Sequence, residues 1–118
     1  MKKSKFIFTL VIFLASYSIF SDSIIDKAFD DAKAFYLMKE YPQAYSRIKF
    51  ALRNYLSYDD IPFEMSIVAE NIYYDYLESL SKNNDETKLY EIFYKDTYFT
   101  LIAEKSKRLG GFKASYEH

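Results

Sequence analysis

Only four residues in this 118-residue chain are of the kinds that most often punctuate regular structure: Pro42, Pro62, Gly110 and Gly111. Proline suits the first turn of a helix and not its middle, and glycine suits the residue just past a helix end. Their positions therefore mark two helix starts and one late stop, leaving long uninterrupted segments between. Half of the residues are hydrophobic, a content that fits one folded domain with few turns and argues against disorder.

Within those segments the apolar residues recur at helical spacing. Ala28, Phe29, Ala32, Phe35 and Tyr36 follow Ile25 on one face, while Asp26, Asp30, Lys33 and Lys39 face water. Pro42 opens a second helix to about Leu56, with Ala44, Ile48, Ala51, Leu52 and Tyr55 on its inner side, and so short a link makes the pair antiparallel. The segment 57–61 is a connection, after which Pro62 starts a third stripe of Met65, Val68, Ala69, Ile72, Tyr76 and Leu80, with Asp59, Asp60 and Glu64 near the positive end of its dipole. The run Ser81-Lys82-Asn83-Asn84-Asp85 reads as a turn with Asp85 as the next N-cap. Leu89, Ile92 and Phe93 give the following helix its apolar side. Tyr98 to Ala103 continue that helix, begin a short final one, or form a strand, since so short an apolar run does not fix its period. Lys105, Lys107 and Arg108 complement a helix end that Gly110-Gly111 would terminate. The basic stretch to Lys113 is either that frayed helix end or a contact for anionic lipid or an acidic partner.

The N-terminus has the build of a secretory signal peptide: Lys2, Lys3 and Lys5, an apolar run from Phe6 to Phe20, then Ser21. The run is shorter than the roughly 20 residues that cross a bilayer, so cleavage is expected, with membrane contact only if the segment stays uncleaved. The expected organisation is a signal peptide over 1–21, a helical domain over 22–109 and a flexible tail over 110–118. The expected location is the periplasm or cell envelope. The absence of cysteine leaves no disulfide framework and no cysteine for lipid attachment. Without the three signal lysines the chain is acidic by about four charges, which argues against nucleic acid, whose phosphates would demand a basic stripe.

The first hairpin resembles a tetratricopeptide repeat, a pair of helices with a small residue and an aromatic in the first and two alanines around a larger apolar residue in the second. Ala32 takes the small position, Phe35 the aromatic one, and Ala44, Ile48 and Ala51 follow at the family's spacing. Lys39-Glu40-Tyr41-Pro42-Gln43-Ala44 looks like the family's inter-helix turn, and Ala69 and Ile72 align with Ala32 and Phe35 in the second hairpin. Alanines at such points let two backbones approach closely. The resulting expectation is an all-α fold of antiparallel, tetratricopeptide-like hairpins after a cleavable signal helix, with Tyr98 to Leu109 or another chain completing the core. An ordinary antiparallel helical bundle would use the same stripes. The resemblance implies a protein or peptide partner on the face formed by the first helix of each pair, with Tyr36, Tyr73 and Tyr76 as candidates to line it.

No catalytic set stands out. The single histidine is His118, and there is no HExxH, phosphate-binding glycine loop or glycine-flanked serine. Asp30-Asp31 and Asp59-Asp60 lack the spacing of a calcium loop, and Glu64, Glu70 and Asp75 read as solvated charge. The expected protein is thus a non-catalytic, exported interaction or scaffold module with no cofactor or metal. The alternatives are a small exported enzyme using carboxylates and a helical subunit of a larger envelope assembly.

Overall fold

The computed structural model describes residues 23–117, and the expected signal segment 1–21 and His118 lie outside them. The described residues form six helices and a short 3-10 turn, with no strand among them. The helices are α1 (23–37), α2 (Tyr41–Leu52), α3 (Phe63–Lys82), α4 (Glu86–Lys95), α5 (Thr97–Lys105) and α6 (Lys107–Glu117), with the 3-10 turn at Tyr58–Asp60 between α2 and α3. None is long and apolar enough to cross a membrane. The stretch Tyr98 to Ala103, left open between helix and strand, is helical.

The two helix-to-helix turns are built alike. After α1, Lys39 takes a left-handed φ of 60° while the Glu40 amide donates back to the Phe35 carbonyl at 2.9 Å and the Lys39 amide to Tyr36 at 3.0 Å. After α3, Asn84 has φ 56° while Asp85 donates to Leu80 at 2.9 Å and Asn84 to Ser81 at 3.2 Å. Both are Schellman closures, made here without the usual glycine. Asp85 then caps α4, its carboxylate accepting from the Lys88 amide at 3.2 Å.

Single residues separate the last three helices, and each is the N-cap of the helix that follows. Asp96 accepts from the Tyr98 and Phe99 amides at 2.9 and 3.1 Å, and the Ser106 hydroxyl from the Leu109 amide at 3.2 Å. These are the side-chain acceptors that free helix N-termini need.

Two expected boundaries move. α2 ends at Leu52, not Leu56, because the Asn54 side-chain amide donates to the Ala51 carbonyl at 3.1 Å and draws the chain out of the helix. Gly110-Gly111 does not terminate the chain's last helix, so the expected break between 109 and 110 is corrected: α6 runs through both glycines to Glu117. Leu109 is fully buried, and the Phe112 ring lies 5.8 Å from Tyr74 and 6.1 Å from Phe93. That anchorage overrides the glycines' low helix propensity.

The core gathers around α3, which packs against α2, α4, α5 and α6. Ala32, Ala44, Ala51 and Ala69 are fully buried where helices approach one another, and Ile48, Leu52, Ile72, Leu77 and Ile92 fill the space beside them. Each fully buried Leu or Ile side chain contributes about 1.5–3 kcal/mol. Every buried side-chain nitrogen or oxygen among the described residues has a hydrogen-bond partner.

Candidate functional site

Helical geometry divides α3 into an inner and an outer face. Met65, Ala69, Ile72, Tyr73, Tyr76 and Leu80 point into the core, whereas Ile67, Asn71, Tyr74 and Glu78 recur at the spacing that lines the opposite side. α1 and α6 flank this outer strip. From α1, the Tyr36 hydroxyl donates to Asp75 and the Lys33 ammonium lies 3.5 Å from Glu64. From α6, the Arg108 guanidinium donates to Asn71 at 2.6 Å, stands 3.5 Å from Glu70 and stacks 4.3 Å above the Tyr74 ring.

The three tyrosines singled out by sequence part company here. Tyr36 lies on the outer face, partly buried, its ring 6.1 Å from that of Tyr41. Burial raises its pKa to about 12, helped by the hydrogen bond to Asp75 and opposed by the Arg108 charge. Tyr73 does not line a surface, and that assignment is corrected: it is fully buried, while Tyr76, 6% exposed, borders a cleft between α2 and α4. Both sit one helical step from the strip, on positions that face α2 and α5. The ring that does reach the outer face is Tyr74, and adjacent tyrosines differ in sequence only by the register of the surrounding stripe.

The inner tyrosines build a buried polar cluster. The Tyr45 and Tyr73 hydroxyls donate to one oxygen of Asp96 at 2.7 and 2.8 Å, while the other oxygen caps α5. The Tyr45 and Tyr73 rings meet edge to face at 5.5 Å, and Tyr73 stacks 5.7 Å from Phe99. Burial, followed by the neighbouring carboxylate, pushes both phenol pKa values up. Asp96 is not among the residues that the sequence singles out. Its signal is an acidic residue one position before an apolar helical run, the same signal that identifies Asp85.

The carboxylates read as solvated charge are more engaged than that. Asp75, Glu70 and Glu64 each take a partner from another helix. Glu78, exposed on the same strip, is held below the usual glutamate pKa by its hydrogen bond to Lys82 at 3.0 Å. Among the described residues, no three His, Cys, Asp or Glu side chains cluster closely enough to hold a metal ion. The outer strip is therefore a surface whose aromatic, acidic and basic groups are already fixed in place by one another, with Ile67 exposed at 43% among them. No family model, curated protein or solved structure matches this chain.

Proposed function

We propose that this chain is an exported, non-catalytic binding module of the cell envelope, in which α1–α2 and α3–α4 are tetratricopeptide-like units and α5–α6 close the core. The paired Schellman turns at Lys39 and Asn84 and the buried alanines support the repeat-like reading. The observation that carries the binding reading is the outer strip of α3. Tyr36, Asp75, Asn71, Tyr74 and Arg108 are held there by mutual contacts, so a partner meets side chains whose ordering entropy is already spent. Aromatic and arginine side chains around an exposed aliphatic residue are the composition that protein partners favour. A segment of protein carrying an apolar side chain for Ile67 and a basic group for Glu78 and Glu70 fits this strip.

The test is photo-crosslinking in intact cells, with a photoreactive residue placed at Asn71 on the strip or at Glu104 on α5. A discrete adduct from position 71, absent from position 104 and lost in an Ile67→Glu background, is the expected result. Equal labelling from both positions, or none from either, overturns the reading.

A specific observation favours a second reading, that of a helical subunit in a larger assembly. Leu56 is 94% exposed and Phe63 80% exposed, and Leu56 borders an apolar groove shared with Tyr98 and Leu101. Such a patch suits burial against another chain.

A further inference from the structure

On the side of the molecule away from the outer strip of α3, α2 and α4 enclose two adjoining clefts of 170 and 270 Å³. They share Tyr45, Lys49 and Lys88, so they form one trough whose floor is the Tyr45 ring. Lys49 and Lys88 stand over that ring with their ammonium groups 5.1 and 5.6 Å from its centroid. Lys95 closes one end and Arg53 the other, with the Ser46 hydroxyl on the rim.

The charge of this trough is unbalanced. Lys88 is paired with Glu91 at 3.3 Å, but Lys49, Lys95 and Arg53 make no ion pair among the described residues. Asp96 borders the cleft yet is buried, with its oxygens committed to two hydroxyls and two amides. Like charges gathered beside a low-dielectric aromatic wall repel one another, and an anion placed between them removes that cost. The chain as a whole is slightly acidic, so the concentration of cations here is local.

We infer that the trough between α2 and α4 is a binding site for a phosphoryl group. A phosphoryl dianion matches the excess of positive charge where a single carboxylate does not. Its three terminal oxygens accept from point-charge lysines and from the planar fork of Arg53. Lys49 and Lys88 converge on one short trough, which suits a single phosphoryl group and not a nucleic acid backbone. The same chemistry is offered by a soluble phosphate compound and by a phospholipid headgroup.

The experiment follows backbone amide NMR shifts of the full chain during titration with inorganic pyrophosphate at constant ionic strength, alongside co-sedimentation with phosphatidylcholine vesicles with and without phosphatidic acid. The expected result is saturable shifts confined to residues 45–53 and 88–96, weakened at least tenfold in Lys49→Gln/Lys88→Gln and retained in Lys49→Arg. Co-sedimentation that requires phosphatidic acid and is blocked by pyrophosphate assigns the headgroup as the source. Saturable pyrophosphate shifts without co-sedimentation assign a soluble phosphate. Shifts spread equally over Lys105, Lys107 and Lys113, or an affinity unchanged in the double glutamine variant, overturn the site. Thermal unfolding of each variant separates loss of binding from loss of fold, since none of these lysines is buried.

Discussion

Two phenols and two backbone amides converge on the buried Asp96 carboxylate, and this makes it the residue on which α2, α3 and α5 jointly depend. Asp96→Ala strands two buried hydroxyls and uncaps α5. An unsatisfied buried polar group costs about 1–3 kcal/mol and a lost cap about 1. A stability loss of about 3 kcal/mol or more is expected in urea denaturation, against about 1 kcal/mol for Tyr73→Phe, which keeps the cap. A loss for Asp96→Ala no larger than that for Tyr73→Phe would remove the cluster from its structural role. The phenols also set the response to alkali. Tyr36, Tyr45 and Tyr73 all have folded pKa values raised above the ordinary value of 10.0. A raised pKa means that their contribution is complete below about pH 10 and is lost as pH climbs through the folded values. Stability is therefore expected to be flat from neutral pH to about pH 10 and to fall beyond it. Phenolate absorbance from Tyr45 and Tyr73 should appear only as the fold opens.

At the scale of the element, helix type and approximate position were legible wherever a stripe of four or more apolar residues repeated, as in α1 and α3. The capping role of Asp85 was legible for the same reason. What escaped was decided by particular side-chain contacts that an apolar stripe does not record. The end of α2 depends on one asparagine folding back on Ala51, and the register of Tyr73 against Tyr74 depends on which helices cover α3. The outer strip was legible only through Tyr36, because Arg108 reaches it from 37 residues away. Gly110-Gly111 is the clearest case, since local propensity reads them as a stop and tertiary packing carries the helix through. A methyl group at Gly111 meets nothing within 4 Å and its φ is not positive, whereas one at Gly110 comes 3.4 Å from the Ala103 carbonyl oxygen. Gly111→Ala is thus expected to stabilise the protein by about 0.5–1 kcal/mol, the difference in helix propensity. A destabilised Gly111→Ala would mean that α6 does not persist in solution.

Over the whole molecule, α3 is the central rod, and the last two helices determine whether its flank is sealed. A central helix covered only by α2, α4 and α5 would leave one flank open to water. α6 is the element that covers it here: Leu109 is fully buried, and Phe112 and Tyr116 lie over Phe93, the latter with ring centroids 5.2 Å apart. Arg108 ties the same helix to Glu70 and Asn71, so α6 also completes the proposed binding strip. Ending the chain after Lys105 removes the burial of one leucine and part of one phenylalanine, worth about 3 kcal/mol together. It also uncovers Phe93 and Tyr74. The expected outcome is a lower urea midpoint, with binding of a hydrophobic dye under native conditions and loss of the crosslink from position 71. Ending the chain after Ala114 keeps Leu109 and Phe112, so most of the stability should remain. If both truncations unfold like the intact chain, the segment from Lys107 onward contributes nothing to the core, and another chain must seal α3.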